Sequence, residues 1–579
     1  MRDGLVHKRI AAACGASVFA LSGVPFAALA QQAPTREQIA PPAQTQPTVA
    51  PHKRVDSEKV QDFAPCALDK SALRVTITSV NFTGPGGQPL APQIQKVLQN
   101  VGPTVSGEAP IREVCDVRDA ANSALRRAGY IASVQIVPQD LTSGALQLTV
   151  VTAHFADIRV HGDPGPYRAL MDDRIKQLMA LDPLNEMDAE RILLLTGDVP
   201  GLDVRLSLRS AGTKPGEVIG DLTVSRVPYR VQANVNNYGS QRIGEGSAYA
   251  RLEIYGLTHH ADVTYLGLSD TFDTREQQVV QIGHTMGIGH SGDTLGGSFI
   301  YAKTRPDLGV LDLRTTSQVF NVEYYHPIVR TVSRDLFFRA GLDAVEQKTS
   351  VYGGTSSTIL SLDKLRVGYG RLEGITHTPG LQGSGFTLSG NLEVRKGLTG
   401  LGASKAGSTN LSRLYGRPDA TVVRFNLDTV VGLGPILSFA GAVRTQWTKD
   451  VLLNYEQFAV GNLTIGRGYD PGANTADKAV AWRSELRLDF ARAHAMKGQG
   501  FVFYDSAHIW RNKGTSNIPD PENDRTLSSA GAGVRFTLPG RFIAEITYAK
   551  PLNKALTIDK APPPPRLMFS LTTQFPSGY

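Results

Sequence analysis

The chain has 579 residues, of which 41% are hydrophobic and 20% charged. At roughly 150 residues per domain that length allows about four units, unless one large unit dominates. Beyond the first thirty residues no uncharged apolar run approaches the roughly 20 residues of a membrane-spanning helix, and no collagen, heptad or chain-wide disorder bias appears. A polytopic helical membrane protein, a collagen, a coiled coil and a fully disordered chain are therefore excluded. Lys and Arg (60) exceed Asp and Glu (53), but no block of five or six like charges occurs, so charge selects neither nucleic acid nor anionic lipid as a partner.

Arg2, Lys8 and Arg9 precede an uncharged stretch from Ile10 to Ala30 that closes with Ala28-Leu29-Ala30. A basic start, an apolar middle and an A-x-A site are the parts of a secretory signal peptide, expected over residues 1–30. Export removes Cys14 and leaves Cys66 and Cys115. In an oxidising compartment these can form one disulfide or remain two buried thiols; neither sits at zinc-ligand spacing. Residues 31–71 read as a proline-rich linker or N-terminal tail, interrupted by Pro34, Pro41, Pro42, Pro47 and Pro51. There Thr35–Ala40 has room for a turn or two of helix.

From Ala72 to Arg226 the pattern is a tandem of two similar units. The first, 72–153, opens with an alternating strand from Leu73 to Val80. Helices follow around Ile94–Gln99 and Val117–Ala128, the second capped by Gly129, and Ala132–Val137 with Ala145–Val151 form a hairpin. The second, 154–226, repeats this order: a strand at Phe155–Val160, helices at Tyr167–Met179 and Asn185–Thr196, and a hairpin of Leu202–Leu208 with Val218–Val224. Each reads as a small α+β domain.

From 227 to 579 the helical period gives way to alternating segments of about ten residues, separated by Gly, Asp, Asn and Ser. In one of them Trp482, Ser484, Leu486 and Leu488 share a face, with Arg483, Glu485, Arg487 and Asp489 on the other. An outer-membrane barrel places such an apolar face in lipid and the charged face in its lumen. Sixteen candidate strands start near residues 229, 248, 261, 277, 294, 315, 334, 358, 384, 419, 436, 478, 499, 526, 541 and 566. The number is even, as bacterial barrels require. In the last strand Leu567, Phe569, Leu571, Thr573 and Phe575 line one face. The predicted fold is a membrane β-barrel of about 16 antiparallel strands preceded by two small α+β domains.

Several motifs resemble those of the outer-membrane transporters of two-partner secretion, the haemolysin secretion/activation type, relatives of the barrel-assembly insertases. Ala64-Pro-Cys66, Cys115, Gly129-Tyr130 and Pro138 to Gly144 resemble that family's first POTRA (polypeptide-transport-associated) domain. Gly466-Arg467-Gly468-Tyr469 resembles the family's aliphatic-Arg-Gly-aromatic motif, on the long loop after the eleventh strand, expected here at 449–477 and folded inward. Phe503-Tyr-Asp505-Ser-Ala507 resembles the Phe-x-Asp-x-Gly motif of the thirteenth strand. Gly466 stands in place of the aliphatic residue, Ala507 in place of the glycine, and Pro576 to Tyr579 extend past the phenylalanine at which such chains often stop.

The resemblance implies an outer-membrane transporter, with its POTRA domains in the periplasm, that captures an unfolded exoprotein and translocates it through the barrel. The implied partner is a large β-helical adhesin or haemolysin, and folding of that partner outside the cell would give direction. The alternative is an insertase that assembles other barrels; two modules and the match of the first favour secretion. An enzyme is not expected: G-x-S-x-G, H-E-x-x-H and P-loop signals are absent, and no cofactor, metal or nucleic acid is implied. A monomer in contact with outer-membrane lipid is expected. A Cys66–Cys115 disulfide is predicted to tie the linker to the first domain. Phe503, Asp505 and Ala507 share one strand face, placed in the lumen because a carboxylate in lipid costs several kcal/mol. An Arg467–Asp505 pair is therefore predicted to lock the loop against the barrel wall.

Overall fold

The computed structural model describes residues 33–40, 54–57, 65–66, 68, 71–105, 107–309, 311–354, 356–378, 380, 384–493, 496–514, 519–538 and 542–576. The expected signal peptide lies outside these residues. In the first α+β unit, strand Ser79–Thr83 runs parallel to Ala145–Thr152, which pairs antiparallel with Ala132–Ile136. Helices Pro92–Leu98 and Glu113–Arg127 cover the sheet and bury Ile94, Leu98, Val117, Ala121 and Leu125 against Leu146 and Leu148. The single opening strand expected from Leu73 to Val80 is instead two. Arg74–Thr76 pairs with Glu108–Pro110, while Ser79 begins the main sheet. The break is imposed from a distance: the Thr78 and Ser79 N–H groups both donate to the Gly144 carbonyl, which turns the chain between the sheets.

The second unit repeats this topology, with His154–His161 parallel to Glu217–Arg226 and Leu202–Ser210 antiparallel to it. Its helices are Arg168–Met179 and Glu186–Gly197. A fourth strand comes from the segment expected as a linker or tail. Val55 and Asp56 pair in parallel with Leu206 and Ser207, and the Arg54 and Val55 N–H groups donate to the Glu190 carboxylate. Two residues are too short for any periodicity to reveal.

The remaining sixteen long strands close into an antiparallel barrel, from Tyr229–Asn236 to Arg566–Phe575, with the first hydrogen-bonded to the last. Closure leaves no open edge, which a sheet in hydrocarbon could not tolerate. Leu252, Leu266, Ile282, Phe299, Leu372, Leu392, Trp482, Leu486, Val502, Ile546 and Phe569 are exposed on the outside, whereas Gln281, Gln347, Glu393, Arg395, Glu485 and Asp505 are buried. The outward face is therefore apolar and the inward face polar. The second unit docks beneath the barrel: Arg330, at the end of strand Asp312–Arg330, grips Asp198 with a two-bond fork at 2.7 and 2.8 Å. Between them lies a cavity of about 960 Å³ whose lining includes Leu170, Leu195, Tyr325, Phe337, Arg339 and Glu373.

Candidate functional site in the barrel lumen

Between the eleventh strand, Leu437–Trp447, and the twelfth, Lys478–Ala493, the chain turns back into the barrel. This loop is a hairpin in which Phe458–Val460 pairs with Asn474–Ala476. Its turn has an unusual backbone. Gly466 has φ +115° and Gly468 φ +91°, values that side-chain-bearing residues rarely adopt. The glycine that departs from the family's aliphatic residue thus answers a local backbone requirement. At Gly468 a Cβ would also sit 3.1 Å from Ala549 and Pro551, so the loop lies close against the wall.

Arg467, between these glycines, meets Asp505 on the thirteenth strand, Met496–Trp510. Its Nε and Nη2 donate to Oδ2 and Oδ1 at 3.0 and 2.9 Å, and its backbone N–H donates to Oδ2 at 3.0 Å. A planar fork matched to a carboxylate fixes orientation as well as charge. The remaining amine, Nη1, donates to Glu485 on the twelfth strand at 2.8 Å. The guanidinium also stacks on Phe503, 3.5 Å from the ring centroid. Phe503 and Asp505 therefore act on the arginine together: the alternating face supplies a ring below and an anion at the edge.

Tyr469 is fully buried, its hydroxyl 3.0 Å from the Ser528 carbonyl and 2.8 Å from that of Asn553, while the Asn553 N–H donates to it. Ala507 packs with Ile465, Ala481, Ile509 and Leu527 in the apolar cluster under the loop, so a methyl is accepted where the family pattern has glycine. Cys66 and Cys115 lie far from this site along the chain and are joined by a disulfide, with Cα atoms 6.0 Å apart. Among the described residues no group of His, Cys, Asp and Glu could hold a metal ion.

Sequence reasoning missed Glu485. Strand alternation places the residue on the charged face, but its meeting with Arg467 depends on the cross-strand register, which sets Glu485 opposite Phe503 and Arg483 opposite Asp505. Glu485 also accepts from Arg487 at 2.6 Å. The short helical turn expected within Thr35–Ala40 is present, but its place in the lumen is not legible in the sequence. Arg36–Ile39 forms one helical turn inside the barrel, where Gln347 donates to the Pro34 carbonyl and Gln281 to that of Ile39. Ile39 is buried with Val279, Val345 and Leu365 of the wall and Leu453 and Tyr455 of the loop.

Comparison with known proteins bears on this arrangement. Residues 221–536 match the family described as haemolysin secretion/activation protein ShlB/FhaC/HecB. The heme/hemopexin transporter protein HuxB of Haemophilus influenzae is 21% identical over 85% of this chain and 86% of its own length. The outer membrane transporter CdiB of Dickeya dadantii is 22% identical over 76% of each chain. The solved structure of CdiB from Escherichia coli superposes with a TM-score of 0.69 at 17% identity, covering 89% of this chain and 93% of that one.

Proposed function

Since the chain belongs to the haemolysin secretion/activation family of ShlB, FhaC and HecB, we propose that it captures an unfolded exoprotein in the periplasm and opens its lumen by releasing the inward loop. It is an outer-membrane β-barrel transporter that secretes a partner protein, and it is not an enzyme. The mode of capture and gating is the proposal. The observation that carries it is the loop itself: the lumen is filled by a segment held through ion pairs and hydrogen bonds around Arg467, all of which can be exchanged without breaking a barrel strand.

The two α+β units supply the receptor. Ala132–Ile136 and His154–His161 lie at sheet edges, and an edge accepts an extended chain by backbone hydrogen bonds. A monomeric transporter and a large β-helical adhesin or haemolysin as cargo fit this reading, with folding of the cargo outside the cell supplying direction. The test is deletion of residues 72–226 in cells that make the exoprotein. The barrel closes its own edges and inserts without the units, while the exoprotein stays in the periplasm. Normal secretion by the deleted form would eliminate the receptor role. Depletion of other outer-membrane barrels would indicate an insertase instead.

A further inference from the structure

The loop carries a second charged contact, of opposite sign to the first and on other strands. Glu456 lies in the short helical turn Asn454–Glu456, where the loop enters the lumen. Its carboxylate takes a two-bond fork from Arg395, with Nε at 3.0 Å and Nη2 at 2.9 Å, and a third bond from Arg424 Nη2 at 2.9 Å. Its backbone carbonyl accepts from Arg424 at 3.1 Å and from Gln446 at 3.0 Å. Arg395 belongs to the ninth strand, Phe386–Gly397, Arg424 to the tenth, Thr421–Gly432, and Gln446 to the eleventh. All four residues are buried.

We infer that Glu456 is a positioning residue that latches the base of the loop, independently of the Arg467 latch at its tip. The inference rests on the reading of the loop as a gate. The chemistry separates the two contacts. At the tip a loop arginine reaches wall carboxylates on the twelfth and thirteenth strands; at the base a loop carboxylate reaches wall arginines on the ninth and tenth. Neither pair shares a partner with the other. Each contact holds a different end of the loop, so each adds its own share to the free energy of the closed state. Buried ion pairs recover little more than their desolvation cost, which suits contacts that must form and part repeatedly.

The base latch also adjoins the N-terminal segment. Arg36 lines a cavity of about 220 Å³ together with Asp343, Arg371, Glu393, Arg395 and Arg424. Next to Glu456, Tyr455 is buried in the same apolar cluster as Ile39. Movement of the loop base therefore disturbs the seat of residues 33–40, which also lies beside the tip: Glu37, Gln38 and Ala40 line a cavity together with Arg467 and Glu485.

The test is channel recording from the purified full-length protein in planar lipid bilayers, with heat-modifiable gel migration as the measure of barrel folding. Glu456→Gln leaves migration unchanged and raises the frequency of large openings at least about tenfold, as expected for weakened charge-assisted hydrogen bonds. Arg467→Ala opens the channel by its own factor, and the double variant opens it by the product of the two, as independent sites require. Wild-type opening frequency in Glu456→Gln, or a double variant no more open than Arg467→Ala, would overturn the base latch. Failure of Arg467→Ala to open the channel would instead count against the gate at the tip. Should Glu456→Gln not insert, Arg395→Lys keeps the charge, loses the fork, and is held to the same criteria.

Discussion

Asp505 is the most heavily used carboxylate of the site, accepting the Arg467 fork and backbone N–H while Arg483 lies 3.4 Å away. Removing Arg467 therefore leaves Asp505 buried beside a poorly aligned second arginine, and removing Asp505 leaves Arg467 with Glu485 alone. Each survivor bears an uncompensated desolvation penalty, so breaking one partner costs more than the pair contributes. Arg467→Ala and Asp505→Ala are expected to insert normally and to secrete at least about tenfold less exoprotein, with the double variant departing from additivity by about 1–3 kcal/mol. Glu485→Gln, which keeps a hydrogen-bond acceptor for Nη1, is expected to lose less than either. Quantifying exoprotein in culture supernatants against barrel abundance checks all four; additive losses, or wild-type secretion by either single alanine variant, would remove the lock.

Among the described residues, the disulfide is the one covalent tie outside the backbone. It fastens Cys66, on the segment leading into the first unit, to Cys115 in helix Glu113–Arg127, closing a separation of 49 residues. Loop-entropy arguments give such a closure about 4 kcal/mol. Thiol labelling of the purified, denatured mature protein is expected to find no free cysteine before reduction and two after it; two before reduction would refute the bridge. The barrel elements were legible because lipid imposes a strict rule: every second residue must be apolar. The sixteen expected strand starts accordingly fall within three residues of those observed. The two units were legible from helical period and turn residues. What escaped depended on partners distant in sequence. The bend at Thr78 is set by the Gly144 carbonyl, the Val55–Asp56 strand by the open edge of Leu202–Ser210, and the seat of Arg36–Ile39 by a lumen that exists only once the barrel has closed. The Arg467–Asp505 contact could be anticipated from motif resemblance and strand alternation, whereas Glu485 and Glu456 look like ordinary charged residues until the register joins them to arginines.

At the scale of the whole molecule the chain forms a continuous path. The second unit is held against the barrel by Arg330 and Asp198, and Arg174 donates to the His290 carbonyl at 2.7 Å. The cavity between them extends to Ser389, Asn391 and Asp428 on the inner wall. Above it stand the two loop contacts and the N-terminal segment. An exoprotein bound at the sheet edges would thus lie at the mouth of a polar lumen whose obstruction is noncovalent. The central claim is that the exoprotein crosses through this lumen. It is tested most directly by placing a photo-crosslinking side chain at Asn391, which faces inward, or at its neighbour Leu392, which is 49% exposed on the outer face, and irradiating cells during secretion. The account predicts an exoprotein adduct from position 391 and none from position 392; exoprotein adducts from 392 alone, or adducts only to other outer-membrane barrels, would contradict it.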